Sequence, residues 1–349
     1  MANADRSADP IDLIHVCDTD PGIRRRRHGK GFAYRHDAGH AVRDEETLAR
    51  IRDLAIPPAY EQVWICDDAR GHLQATGRDA RQRKQYRYHP HWQRLRERDK
   101  FTRVVEFGQA LPRLRRRLIR DLKQPGLPRD KVLALILAVL DETLIRIGNE
   151  AYARDNGAFG ATTLRNRHVQ VRHGRLYLHF RGKSGQSREV ALDDARLRRL
   201  IKRLRRLPGQ RLFQYQDDAG ARQPVDSGQV NDYLHQVMGE PFSAKDFRTF
   251  GGTVRAVVEL ARTPLPEPFT EHAAKRAIAA AVKRVAEMLG NTPAVCRKSY
   301  IHPDVFEGWQ DGTLHALVDV RSTRYPRQRE RRALAFLKAM REKAAASQP

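Results

Sequence analysis

Residues 131–147, KVLALILAVLDETLIRI, are apolar almost all the way round: Val132, Leu133, Leu135, Ile136, Leu137, Val139, Leu140, Leu144 and Ile145 leave no broad polar face. A helix of that pattern belongs at the centre of a core. It is expected to end on Arg146, and a guanidinium at the end of a buried helix is costly unless it meets an anion. Downstream the period changes. Residues 169–171, the turn His173-Gly174-Arg175, the alternation Leu176/Leu178/Phe180, the tight Gly182-Lys183-Ser184-Gly185 and then Val190 and Leu192 read as a three-stranded meander. Helical spacing returns over 195–207, 227–238, 249–261 and 271–289, with Gly290 as a helix stop. Thr292 and Pro293 then serve as N-cap and first residue of a short helix that Pro303 cannot let continue, so Tyr300 falls near its end. A basic helix over 328–343 closes the chain.

Upstream of the apolar helix the pattern is mixed. Residues 1–22 are polar and aperiodic and are expected to be a flexible lead-in ending at Pro21-Gly22. The run Arg24-Arg25-Arg26-Arg27-His28-Gly29-Lys30 is either a phosphate-binding arm or a charged tail. Short strands are expected at 32–34 and 63–66 and a helix at 45–54. Residues 72–75 and 85–88 alternate like strands around a Gly/Asp/Arg-rich turn, a hairpin edge with Tyr86 and Tyr88 on one face. A charged stretch over 91–100 separates this part from the helical remainder. The fold class is therefore α+β: a small N-terminal domain with a mixed β-sheet over 23–100, and a larger, mainly α-helical domain carrying the meander over 101–349.

Composition narrows the partners. The 349 residues carry a net charge of +24 with pI near 10.6, an excess that repels itself unless a polyanion or an acidic surface is the usual partner, with nucleic acid the leading candidate. Residues 1–100 hold 20 Lys+Arg against 16 Asp+Glu, net +4, which leaves +20 for the rest. Three cysteines in no CxxC or Cys/His spacing argue against a disulfide framework or a zinc site. There is no apolar stretch of membrane-spanning length and no signal-peptide core at the start, so a cytoplasmic, nucleoid-associated protein is expected. The sequence has no GxxxxGK[ST] loop and no convincing two-metal carboxylate pair.

Taken one by one, Arg146, Lys183, Arg248, Asn291 and Tyr300 are ordinary residues. Lys183 sits at a glycine-flanked hairpin tip, where a solvated turn lysine is the bland reading; Arg248, in Lys245-Asp246-Phe247-Arg248, could cap a helix or pair with Asp246. Their order and spacing are more telling: Arg146, then Lys183 in a β turn 37 residues on, KxxR at Lys245/Arg248, and Asn291 nine residues before the Tyr of Lys298-Ser299-Tyr300-Ile301-His302-Pro303. In this the chain resembles the type IB DNA topoisomerases of the poxvirus-like bacterial kind, from about residue 22 to residue 302. The first domain contributes Gly71-His72-Leu73-Gln74-Ala75-Thr76-Gly77-Arg78-Asp79 and Gln85-Tyr86-Arg87-Tyr88-His89 to the likeness. Asn291 stands where the viral enzymes have His.

The resemblance implies reversible cleavage of one DNA strand by Tyr300, giving a 3′-phosphotyrosyl enzyme and a free 5′-hydroxyl. It needs no ATP and no essential divalent metal. Elementary chemistry asks for the same residue types. Negative charge builds on the non-bridging oxygens in the transition state, and two planar guanidiniums, Arg146 and Arg248, suit it. Asn291 adds a neutral donor. A 5′-alkoxide leaves poorly, so a general acid is worth roughly 10²–10⁴ in rate, and Lys183 is the expected acid. By resemblance, the strand bearing Tyr86 and Tyr88 enters the major groove, with Arg78, Arg83 and Lys84 at phosphates. A monomer closing as a clamp round duplex DNA is expected. Two other readings remain: a tyrosine recombinase, which typically has HxxR where this chain has Lys245-Asp246-Phe247-Arg248, and a non-catalytic basic DNA-binding protein.

Overall fold

The computed structural model describes residues 12–346 except 30, 81, 83, 240, 241, 320 and 322–324, with the backbone alone at 93–100 and 151. The chain divides into two compact units after Phe101.

In the first unit β1 (Gly22–His28), β2 (Gly31–His36), β3 (Glu61–Cys66), β4 (Leu73–Arg78) and β5 (Lys84–Tyr88) form one antiparallel sheet in the order β2-β1-β3-β4-β5. Helix α1 (Glu45–Asp53), N-capped by Asp44 on Thr47 N–H, packs Ile51 against Ile23, Val63, Ile65 and Ala75. The register sets Arg24, Trp64 and Thr76 beside Tyr86 across four strands, so the tyrosine lies on the face away from α1.

Two expectations for this unit change. The basic run is strand β1, not a loose arm, and Arg25 turns inward to donate to the carbonyls of Ile56, Pro57 and Tyr60 and to stack on Phe32. Part of the expected lead-in is held in place. Ile14 forms a parallel bridge to Gly71, His15 stacks on His72 with centroids 4.0 Å apart, and Trp64 Nε1 donates to Asp20 O. The rest of the lead-in, residues 1–11, lies outside the described residues, as does Lys30.

The second unit is mostly helical. Its helices are α2 (Pro90–Asp121), inside which the division falls, α3 (Arg129–Thr143), α4 (Glu150–Asn156), α5 (Ala195–Arg205), α6 (Ser227–Met238), α7 (Ala244–Ala261), α8 (Glu271–Leu289), α9 (Pro293–Tyr300), α10 (Asp304–Gln310), α11 (Thr313–Leu317) and α12 (Pro326–Ala346). The strands β6 (Val169–Arg172), β7 (Arg175–Arg181) and β8 (Ser187–Leu192) make the expected meander, and β9 (Gln214–Gln216) pairs with β10 (Arg222–Pro224). His173 and Gly174 both have positive φ, the two-residue turn whose twist suits a hairpin.

Helix α3 is the centre of the core: Val132, Leu133, Ile136, Leu137, Val139 and Leu140 are at most 1 % exposed, and each such side chain contributes roughly 1.5–3 kcal/mol by burial. The helix is shorter than expected. Leu144 adopts a left-handed conformation at φ 55°, which ends the helix, so Arg146 stands in an irregular segment beyond it. Conversely, α7 starts earlier than expected and takes in Lys245 and Arg248. The charged stretch over 91–100 is helix, part of α2.

Arg115 of α2 ties three helices together. Its guanidinium donates to both oxygens of Asp141 on α3, at 2.6 and 2.7 Å, and to both of Glu330 on α12, at 2.6 and 2.8 Å. Burial alone would lower the pKa of Arg115, but the two carboxylates outweigh it and raise it. Arg115→Ala leaves two part-buried carboxylates facing each other and should cost about 3–5 kcal/mol. Urea denaturation checks it; a loss under about 1 kcal/mol, the level of a surface pair, would show the triad to be decorative.

Candidate active site

Helix α8 stops at Gly290, which has φ 60°, and after Asn291 the chain starts again at α9, where the Thr292 hydroxyl accepts from Val295 N–H and Pro293 fills the first turn. This short helix delivers Tyr300 at its last residue. Thr253, fully buried on α7, fixes that end: its hydroxyl donates to Tyr300 O at 3.4 Å and accepts from His302 N–H at 3.1 Å. Gly252 beside it must be glycine, since a Cβ there would come within 2.6 Å of Tyr300 O.

Arg248, one turn into the buried face of α7, is 3 % exposed. Its fork donates to Leu144 O and, at 3.0 Å, to Leu289 O. It does not pair with Asp246, whose carboxylate instead accepts from the N–H and hydroxyl of Ser243. The guanidinium carbon lies 5.0 Å from the centre of the Tyr300 ring. Arg146 reaches the same place from the segment after α3, donating to Gly290 O at 3.3 Å and to Asn291 Oδ1. Asn291 is thus oriented by Arg146 through its oxygen. Its Nδ2, buried, has no hydrogen-bond partner among the described residues, and neither has Arg248 Nε.

Arg146, Lys183, Lys245, Arg248 and Tyr300 line one cleft of about 490 Å³, walled on its apolar side by Ile147, Ala158 and Phe159. Lys183 enters it from the exposed tip between β7 and β8. The electrostatics follow from the crowding of cations. Burial brings Arg146 down to about 10, and Arg248 adds to the effect. For Tyr300 burial would raise the phenol, but Arg248, as a charge and a hydrogen-bond donor, and then Arg146 and Lys245 outweigh it, so the net shift is downward. A tyrosine whose phenolate is favoured, facing a cleft of fixed donors, can attack an electrophile that carries negative charge.

Of the five expected site residues, Arg146, Lys183, Arg248 and Tyr300 therefore share one cleft, and Asn291 joins them through Arg146, although they are spread from position 146 to position 300. The family model for the eukaryotic DNA topoisomerase I catalytic core matches residues 89–321, and that for the bacterial DNA topoisomerase IB N-terminal domain matches residues 31–79. The chain is 35 % identical over 295 residues to the DNA topoisomerase 1B of Acanthamoeba polyphaga mimivirus, covering 83 % of this chain and 88 % of the relative. The chain belongs to the type IB DNA topoisomerases. The DNA topoisomerase 1B of vaccinia virus (strain Copenhagen) is similar at 26 % identity over 258 residues, 72 % of this chain and 76 % of the relative. The DNA topoisomerase I of monkeypox virus matches at the same identity over 261 residues, with the same coverage.

In the N-terminal unit of this topoisomerase, Tyr86 and Tyr88 are 47 % and 37 % exposed and stack with centroids 6.0 Å apart and planes 9° apart. Neither is packed away in a hairpin core. Lys84 lies 5.6 Å from the Tyr86 ring centre and pairs with Asp18 at 2.5 Å, while Asp18 also accepts from Thr76 Oγ1 at 3.0 Å. Residues of the expected lead-in thus touch the face that bears the tyrosines. Arg78 is engaged within its unit, donating to Gln62 Oε1 and Gln82 O, both at 2.9 Å. Arg83 lies outside the described residues.

Three residues of the catalytic unit gain importance that sequence did not give them. Thr253 positions the backbone of Tyr300, Lys245 faces Tyr300 from the start of α7, and Arg188 of β8 grips the end of α8. Of these, Lys245 alone had a sequence signal, the KxxR spacing it shares with Arg248.

Proposed function

We propose that this topoisomerase relaxes supercoiled duplex DNA by reversible cleavage of one strand, with Tyr300 as nucleophile and a 3′-phosphotyrosyl intermediate. The observation that carries the proposal is the Tyr300 phenol beneath Arg248, in one cleft with Arg146 and Lys183. In this reaction the Tyr300 oxygen forms a bond to phosphorus as the bond from phosphorus to the 5′-oxygen breaks. The phenolic proton is lost to solvent. Lys183 gives a proton to the departing 5′-oxygen, which leaves as a hydroxyl. Arg146, Arg248 and the unpaired Nδ2 of Asn291 meet the charge on the non-bridging oxygens. Because the phosphodiester energy stays in the tyrosyl bond, the 5′-hydroxyl can attack back and reseal the strand, with no need for ATP.

Charge neutralisation falls to guanidiniums in this scheme, and divalent metal is not required. Among the described residues no three His, Cys, Asp or Glu side chains are grouped to hold a metal ion. The stacked, exposed Tyr86 and Tyr88 suit contact with base edges and thymine methyls, and Lys84 and Arg78 suit phosphates once released from their present partners. The protein acts as a monomer, its two units closing as a clamp on duplex DNA in the nucleoid; among the described residues no helix is long and apolar enough to cross a membrane. Purified protein should relax supercoiled plasmid in EDTA without ATP and with no paired recognition sites. Relaxation that depends on added metal or nucleotide, or recombinant circles as the main product, would overturn the proposal.

A further inference from the structure

We infer that Arg188 is a positioning residue for the reaction: it docks the Lys183 hairpin onto the C-terminal end of α8, where Arg146, Arg248 and Asn291 are gathered. The inference rests on Lys183 being the general acid. Lys183 stands on an exposed tip whose own structure is slight. The tip is closed by Gly182 N–H to Gln186 O at 2.7 Å, and Ser184 has a positive φ of 62°. The bonds within that turn do not reach toward Tyr300; Phe159 N–H holds its base through Arg181 O at 2.7 Å, and placing the amine relative to Tyr300 also calls for a tie to the elements that carry the arginines.

Arg188 meets that need from β8. It lies opposite Phe180 in the β7–β8 register, and its Cγ runs so close over Gly182 that a Cβ there would stand 3.1 Å from it. The stem thus crosses the base of the lysine hairpin. The fork then leaves the sheet altogether, with Nη1 donating to Glu287 O at 3.0 Å and Nη2 to Met288 O at 2.7 Å. The next two carbonyls are taken by the catalytic arginines, Leu289 O by Arg248 at 3.0 Å and Gly290 O by Arg146 at 3.3 Å.

Four consecutive carbonyls at the end of one helix therefore accept from three guanidiniums. Glu287 O also accepts from Gly290 N–H at 3.2 Å; the other three are carbonyls of the kind a helix end leaves without an intrahelical donor, and together the four carry its negative pole. That pole offsets the mutual repulsion of three cations and makes one rigid reference for all of them. Gly290 leaves the room: a Cβ there would lie 2.6 Å from Arg188 Nη1, and its φ of 60° disfavours any other residue. A planar fork can span two successive carbonyls, which a lysine's single ammonium cannot match in geometry.

The test uses single-turnover cleavage by the full chain on two duplexes, one with the ordinary 5′-bridging oxygen and one with sulfur there, whose thiolate leaves without a proton. Lys183→Ala should be slowed by roughly 10²–10⁴ on oxygen and recover most of that on sulfur. Arg188→Ala should be slowed by about 10² on oxygen, the cost of a misplaced group, and likewise recover on sulfur, with Arg188→Lys changed in the same direction. Should Arg188→Ala fail to fold, the oxygen-to-sulfur rate ratio of Arg188→Lys decides. Recovery of Lys183→Ala but not of the Arg188 variants, or wild-type rates on both duplexes, overturns the role of Arg188 alone. Lys183→Ala unrescued by sulfur removes Lys183 as the acid, and the inference falls with it.

Discussion

Tyr300→Phe should abolish plasmid relaxation and the covalent protein–DNA adduct together, while DNA affinity and thermal stability stay close to those of the parent protein. The substitution removes one oxygen and keeps the ring beneath the Arg248 guanidinium, 5.0 Å from its centre. The backbone at this position is held by Thr253 rather than by the phenol, so α9 has no reason to move. Binding is dominated by cations that contact phosphates, and those of the cleft, Arg146, Lys183, Lys245 and Arg248, are untouched. Tyr152 lines the same cleft from α4 and provides the control. Tyr152→Phe should still form the adduct, because Tyr152 is not the ring that Arg248 covers. Gel analysis after denaturant quench of a cleavage reaction measures both. Adduct in Tyr300→Phe and none in Tyr152→Phe would move the nucleophile to Tyr152.

Much of this architecture was legible because local rules and tertiary demands agreed. The α8–α9 junction is an example: Gly290, Thr292, Pro293 and Pro303 each have one natural place around two helices, and the structure puts the first three in those places. The meander was legible for the same reason, through strict alternation and the His173-Gly174 turn. Where tertiary contacts set the conformation, sequence misled. Residues 144–147 continue the apolar pattern of α3, yet Leu144 leaves the helix in a left-handed conformation, with its carbonyl turned to Arg248 more than a hundred residues away. The basic run from Arg24 to Lys30 reads as an arm or a charged tail because four adjacent arginines hide the alternation. In the sheet Arg25 faces inward to three carbonyls and Arg24 lies in the outer row beside Trp64. Arg188 was invisible for a related reason: its partners are backbone carbonyls of a helix end, and any sequence would supply those.

The second large effect is expected at Arg248, because this one side chain serves three ends at once. In the proposed reaction it offers donors to the phosphate; in the structure it favours the Tyr300 phenolate and joins the end of α3 to the end of α8 through Leu144 O and Leu289 O. Loss of one oxyanion donor in a preorganised site costs about 10²–10³ in rate, and Arg248→Ala should exceed that range because the nucleophile weakens too. The pH dependence separates the two contributions. In the proposed reaction Tyr300 attacks as phenolate, so cleavage should rise with pH until the phenol has ionised. With its pKa lowered in the native protein, that rise should end below the ordinary tyrosine value of about 10. Without Arg248 its two opposing influences are gone while burial, which raises the phenol, remains; the rise should therefore move to higher pH. Arg248→Lys keeps a charge near the ring but loses the fork, so its pH profile should shift less than its rate falls. Single-turnover cleavage between pH 6 and about 10, with melting temperatures for each variant, measures all of this. An Arg248→Ala protein that is slow at every pH, with an unshifted profile, would confine Arg248 to the phosphate and leave Tyr300 to be activated by Arg146 and Lys245.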